Sequence, residues 1–276
     1  MIYVKGDKVL RARYYFAMEC VKKAADVLKA AGFENVEITQ KTSHQDLVTP
    51  MDSGIETMIR QWILEQYPDD LVIGEESSYK EEAQNSGSST WYLDPIDGTT
   101  NYVNIHKNFS ISLAYSKDDT VIFGIVYDVM NSRMYHAYLG EGAFINSEPL
   151  QTLSDVPLSE AILTTPVVNH TFLDDHELKD GCISLSSSVR GVRSMGCVSL
   201  ELCELAEGGA NICIAMRSGP WDHNAAALIV KEAGGYFRPL LADDLSPRYS
   251  GPIFASTDKK LAQITYQKYF NRDELL

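Results

Sequence analysis

The chain has 276 residues, a net charge of −14, a hydrophobic share of 45% and a charged share of 22%. Such a length holds one large domain or two closely packed subdomains, and the composition is that of a soluble globular protein. The acidity argues against direct binding to a nucleic-acid backbone, and no apolar run reaches the ~18 residues that a membrane span needs.

The N-terminus, Met1 to Lys8, lacks an apolar stretch with a small-residue cleavage site, so no signal peptide is expected. Five cysteines, Cys20, Cys182, Cys197, Cys203 and Cys213, form no C-x-x-C pair and have no His at zinc spacing. They read as reduced structural residues of a cytoplasmic protein. Most of the 38 acids belong to a solubilising surface. Any that gather in a cleft repel one another until a divalent cation joins them.

In chain order, apolar residues at helical spacing predict a helix from about Ala12 to Ala31, with Gly32 closing it. A second helix is predicted to start near Asp52-Ser53, with Trp62 on its core face and Pro68 beyond its end. Strands are predicted at Leu71–Ile73, Trp91–Leu93, Ile111–Tyr115 and Val121–Tyr127, with a Ser/Gly/Asn-rich loop from Glu81 to Thr90. Arg133–Tyr138 and Ala143–Ile145 read as a strand pair around Gly140-Glu141-Gly142, and Asn146–Pro149 as the next turn. That turn is the best boundary between subdomains of about 1–146 and 147–276. In the second half, strands are expected at Ala161–Thr165, Ser184-Leu185, Ala210–Met216 and Ile253–Ala255. Helices are expected at Val198–Glu207 and Asp222–Ala233. The order implies stacked layers of helix and sheet.

Four segments carry chemistry. In Trp91-Tyr92-Leu93-Asp94-Pro95-Ile96-Asp97-Gly98-Thr99-Thr100, an apolar strand ends in two carboxylates three apart, then a glycine turn and two hydroxyl residues suited to a helix start. Asp94 and Asp97 offer hard oxygen ligands suited to Mg²⁺, and the amides of Gly98, Thr99 and Thr100 would face an anion. An acidic helix-capping turn accounts for the same residues. Glu75-Glu76 follows another apolar strand, Asp222 opens an Ala-rich helix after Pro220-Trp221, and Asp46 and Asp52 flank a helix start around Thr49. Solvated turns and ordinary caps explain each of these three taken singly.

Together and in this order, the segments resemble the inositol monophosphatase family over roughly Ala12 to Phe254. The hairpin Gly142-Ala143-Phe144-Ile145-Asn146, the stretch Arg193-Ser194-Met195-Gly196 and the helix end Glu232-Ala233-Gly234-Gly235 share that resemblance. It implies a layered αβαβα sandwich, of the kind shared with fructose-1,6-bisphosphatase, and usually a homodimer. It implies that Glu75, Asp94 and the Ile96 carbonyl hold one Mg²⁺, and that Asp94, Asp97 and Asp222 hold a second. Glu75, through waters, would help hold a third, weaker ion. Asp52 and Thr99 would orient and deprotonate the attacking water, the Gly98 and Thr99 amides would receive the phosphate, and Lys41 and Asp46 would support the activating loop. The substrate would be a small phosphorylated metabolite.

At the position seven before Asp222, inositol-selective members carry a Glu that grips substrate hydroxyls; here it is Ala215. An open pocket there predicts broad specificity around an inositol-phosphate-like substrate. The alternatives are a 2′-phosphatase for NADP(H) and a phosphatase for adenosine 3′,5′-bisphosphate. A regulatory protein tied to the transcription machinery is a further one. Arg217 reads equally as a contact for an extra anionic group and as a solvated loop residue. His223, in a first helical turn, is expected to face solvent.

Overall fold

The computed structural model describes residues 8–33, 38–40, 47–77, 88–150, 155–165, 176–240 and 246–270. Lys41, His44, Asp46, His170 and most of the loop read over Glu81 to Thr90 fall outside them.

Two sheets are separated and flanked by helices. The first has seven strands in chain order: β3 (Leu71–Gly74), β4 (Ser89–Asp97), β5 (Ser110–Lys117), β6 (Thr120–Asp128), β7 (Arg133–Tyr138), β8 (Ala143–Ile145) and β9 (Glu148–Pro149). Only β3 and β4 run parallel; the rest is an antiparallel meander. The second sheet has the order β11 (Gly191–Arg193), β10 (Ile162–Thr164), β12 (Ile212–Ala215), β14 (Ile253–Ser256), β13 (Tyr236–Pro239). A small ladder joins β1 (Thr39–Gln40) to β2 (Leu47–Val48).

Alternation along the strands builds the layers, because successive side chains of a strand point to opposite faces. In β4, Trp91 and Leu93 pack with Ala17, Val21 and Leu28 of α1 (Lys8–Ala31) and with Ile55 and Ile59 of α2 (Pro50–Gln66). Tyr92 points the other way, into a core shared with Leu202 and Leu205 of α5 (Val198–Glu207) and Ala226 and Ile229 of α6 (Pro220–Glu232). Cys213 and Ala215 of β12 close that core from the second sheet. Ile212 and Ile214 face outward, against Leu185 of α4 (His176–Ser186) and Tyr266 of α7 (Lys259–Tyr269). The result is an αβαβα sandwich, and the five cysteines are buried and unpaired.

Several sequence readings change. Ser184-Leu185 lies in α4 rather than in a strand: Leu178, Cys182 and Leu185 recur at helical spacing and are all buried. Helix α2 begins at Pro50 with Thr49 as its cap, so Asp52 is the third helical residue, not the cap. His223 is 2% exposed instead of solvent-facing. β11, β13 and α7 are three elements the pattern did not reveal. The first is three residues long and largely exposed, β13 mixes Arg and Pro with its aromatics, and α7 is polar on average.

Candidate functional site

The site forms where β4 ends. A strand of perfect alternation would send Asp94 and Asp97 to opposite faces, because they are three residues apart. Asp94 pairs with Ser112 and Asp97 with Ser110, so three steps on β4 match two on β5. That one-residue bulge, at Pro95-Ile96, turns both carboxylates toward the α5–α6 layer. The Ile96 amide donates to Asp94 Oδ1 at 3.0 Å and fixes the turn.

Each partner is delivered by a neighbouring element. β3 runs parallel to β4, and the Glu75 amide donates to the Leu93 carbonyl at 3.2 Å, which sets Glu75 beside Asp94. Asp222 is the third residue of α6 and accepts from the Gly219 amide at 2.7 Å. The Ser112 hydroxyl donates to the Trp221 carbonyl at 2.8 Å, which holds this first turn against the residue opposite Asp94. Asp97 accepts from the Val198 and Ser199 amides at 3.2 and 2.6 Å, the two unsatisfied donors at the start of α5.

A second cluster adjoins the first. Thr99 opens α3 (Thr99–Asn104), and its hydroxyl lies 2.9 Å from Asp52 Oδ1 and 3.1 Å from the Ile96 carbonyl. A hydroxyl has one proton, and the charged acceptor takes it more strongly. Asp52 Oδ2 accepts from the Thr49 amide at 2.8 Å and the Thr49 hydroxyl at 2.6 Å. Asp52, 0% exposed, is thus held by its own helix cap and aimed at Thr99.

Gly98 turns the chain between the clusters with φ +89°, and a Cβ there would come within 3.1 Å of the Gly196 carbonyl and 3.2 Å of the Asn108 carbonyl. The first hydrogen bonds of α3 run from Asn101 and Tyr102 to the Gly98 carbonyl, so the earlier amides have no acceptor inside the helix. Gly98→Ala is expected to cost about 1–3 kcal/mol, read as a lowered thermal midpoint, from backbone strain at this one residue.

Electrostatically the first cluster is under like-charge stress. Burial first, then the charges of Glu75, Asp97 and Asp222, push the Asp94 carboxyl well above the usual range. Burial, then Asp97 and Glu75, do the same to Asp222. Asp97 is also raised by burial, against the hydrogen bonds it accepts from Ser199, Cys197 and Val198. Asp94 shares a hydrogen bond with Asp222, and its presence favours the proton on Asp94. Among the described residues no three acidic, His or Cys side chains already form a metal cage. Buried, hard oxygen donors whose named charged neighbours are all carboxylates fit a divalent ion such as Mg²⁺.

Several supporting residues escaped sequence reading. Glu56, one turn after Asp52 on the same face of α2, accepts from the Glu76 amide at 2.8 Å and so pins the turn that carries Glu75. Its i, i+4 spacing from Asp52 was the available signal. Asn101 donates to the Asn108 carbonyl at 2.8 Å and the Met195 carbonyl at 2.7 Å, and Glu201 accepts from the Met195 and Gly196 amides at 2.6 and 3.2 Å. These contacts clamp the loop before α5 onto the Gly98 turn, a pairing almost a hundred residues long that spacing does not reveal. Ala215 ends β12 and is 2% exposed, while Arg217 is exposed.

Comparison with known proteins agrees with this architecture. The model of the inositol monophosphatase family matches residues 10–269. The inositol-1-monophosphatase of Bacillus subtilis (strain 168) is 32% identical over 226 residues, covering 81% of this chain and 84% of that protein. Inositol monophosphatase-II from Staphylococcus aureus MSSA476 superimposes with a TM-score of 0.83 at 32% identity, covering 94% of both chains. SaIMPase-II bound to 2′AMP gives a TM-score of 0.82 at 31% identity, covering 94% of this chain and 93% of that one. A match of this extent means that the chain belongs to the inositol monophosphatase family.

Proposed function

We propose that the chain hydrolyses small phosphate monoesters in a Mg²⁺-dependent reaction, with Asp52 and Thr99 activating the water. The observation that carries this reading is the 2.9 Å hydrogen bond from Thr99 to a buried, doubly anchored Asp52, set beside the stressed Asp94 cluster. Glu75, Asp94, Asp97, Asp222 and the Ile96 carbonyl would hold the metal. Bound Mg²⁺ supplies charge neutralisation for the phosphoryl oxygens and a lowered pKa for water.

The chain's own groups do the rest. A threonine that donates to a carboxylate turns its lone pairs outward, where they accept a water proton as its own proton passes to Asp52. Asp52 takes that proton at Oδ1, because Oδ2 is committed to Thr49. The Gly98 and Thr99 amides orient the phosphate for attack. Residues of about 1–146 supply this platform, and residues of about 147–276 supply Asp222 and the substrate rim. The reading includes a homodimer acting in the cytosol, which light scattering on the purified protein tests for assembly.

Substrate selection falls to the rim. Inositol 1-phosphate is the first expected substrate, in keeping with the family. A nucleoside 2′-phosphate is the second, favoured by the small Ala215, by the exposed Arg217 beside it and by the 2′AMP held in SaIMPase-II. Phosphate release from inositol 1-phosphate, 2′-AMP, NADP and adenosine 3′,5′-bisphosphate, with Mg²⁺ or with EDTA, tests both. Release that persists in EDTA overturns the metal assignment. Ala215→Glu is expected to raise the kcat/KM ratio of inositol 1-phosphate over 2′-AMP about tenfold, since a carboxylate gains a hydroxyl partner and repels a nucleotide; an unchanged ratio counts against Ala215 as a rim residue.

A further inference from the structure

Helix α6 has two working sides. Its first turn carries Asp222 into the acidic cluster. His223, Asn224, Ala227, Leu228 and Lys231 fall together on the opposite side at 3.6 residues per turn. That side lines a cavity of about 190 Å³, completed by residues around Thr120 and by Phe237 and Tyr249. Beyond its His223 end, the cavity reaches the end of β6 away from the catalytic strand ends: Thr120 starts β6, whereas the row through Asp97 and Ser110 meets β6 at its other end, Asp128.

The walls contain polar atoms that the fold itself does not use. Asn224 is 5% exposed, and its side-chain nitrogen donates to the Pro247 carbonyl at 2.7 Å. A carbonyl only accepts, so this bond fixes the amide orientation and leaves Asn224 Oδ1 as the free acceptor. His223 is 2% exposed, with Nδ1 2.8 Å from the Ser218 hydroxyl. The other acceptor for that hydroxyl, the Gly219 carbonyl, is 3.5 Å away; with the serine proton on the shorter contact, to Nδ1, the ring proton sits on Nε2. Neither Asn224 Oδ1 nor His223 Nε2 has a partner among the described residues, and neither is sealed inside the protein. Phe237 lies 5.7 Å from the His223 ring at 30°, and Lys231 Nζ is 5.6 Å from the Phe237 ring with no acidic partner among the described residues.

We infer that this cavity is a second small-molecule site, separate from the catalytic one, for a planar heteroaromatic ring that bears a lactam or carboxamide edge and an acidic substituent. The His223 Nε2 proton meets the ligand's carbonyl. Asn224 Oδ1 meets its N–H. The aromatic walls take the ring faces, and Lys231 takes the acid. Polar atoms left unmatched in a cavity cost stability unless water or a ligand satisfies them, and the volume exceeds that of the few waters they could hold.

Orotate has this edge and this acid on one ring, and it serves as the probe, with uracil lacking the acid and benzoate lacking the edge. Calorimetry on the full chain, with Mg²⁺ and saturating inorganic phosphate occupying the catalytic site, should show orotate binding more tightly than either control. Asn224→Leu should weaken orotate about tenfold or more by removing one buried partner. Ala227→Phe should abolish binding by filling the cavity, and Lys231→Met should bring orotate down to the affinity of uracil. Phosphate release should stay unchanged in folded variants. Absence of orotate binding, orotate binding that phosphate competes away, or affinity unchanged in Lys231→Met and in whichever of the other two folds, would each overturn the assignment.

Discussion

Asp94→Asn should reduce phosphate release by about 10³-fold or more while leaving the circular dichroism spectrum unchanged. Asp94 stands among Glu75, Asp97 and Asp222, and the charges of all three add to burial in raising its carboxyl. An amide keeps the shape and the hydrogen bond from Ile96, but removes the charge that a divalent ion needs. Stability should move the other way. In EDTA the wild-type chain holds a buried carboxyl whose folded pKa lies above its ordinary value of about 4, and so does Asp222. Groups with raised folded pKa stabilise fully below the unfolded value, and that contribution is lost as pH rises through the folded one. The metal-free protein should therefore lose thermal stability as pH climbs above the usual carboxylate range. Mg²⁺ should restore it, and Asp94→Asn should flatten the dependence. A variant that retains near-normal turnover, or a metal-free midpoint indifferent to pH, would contradict the assigned cluster. Asp97→Asn should also abolish turnover, because its carboxylate both faces the cluster and anchors α5.

Thr99→Val should lower kcat by about 10²–10⁴ with KM little changed, measured with saturating Mg²⁺. Valine matches threonine in shape, so the first turn of α3 and its free amides survive. What disappears is the hydroxyl that donates to Asp52 Oδ1. Asp52 keeps its two bonds from Thr49 and stays folded in place. A large rise in KM with kcat intact would instead make Thr99 a phosphate-binding residue and leave the base elsewhere.

The acids themselves were legible because they sit where apolar runs end, and strand ends are where a layered fold exposes side chains. Their convergence was legible only through family resemblance. Spacing places Asp94 and Asp97 on opposite faces, and only the bulge at Pro95-Ile96 brings them together. Helices α1 and α2 were visible because each buries one periodic apolar face, while α5 and α6, buried nearly all round, showed as apolar runs closed by Gly208-Gly209 and Gly234-Gly235. Helix α4 was misread in its last turn, because a leucine in the serine-rich stretch Ser184–Ser188 resembles a short strand when the preceding turns are largely polar. His223 was misread for a different reason. First-turn residues usually face water, but here Ser218 and Phe237 close over the ring. Contacts such as Asn101 to Met195, and Glu56 to Glu76, join segments that no local period relates.

The bond between Asp97 and the start of α5 joins residues about a hundred positions apart in the chain. During synthesis, the first sheet can emerge and pair its strands while Asp97 still lacks its amide donors and Asp94 still lacks Asp222. A nascent chain halted before Val198 is therefore expected to be catalytically silent however well its first sheet has formed. On the proposed ligand set, activity should begin only when the second half has docked, so a product truncated before Val198 should release no phosphate.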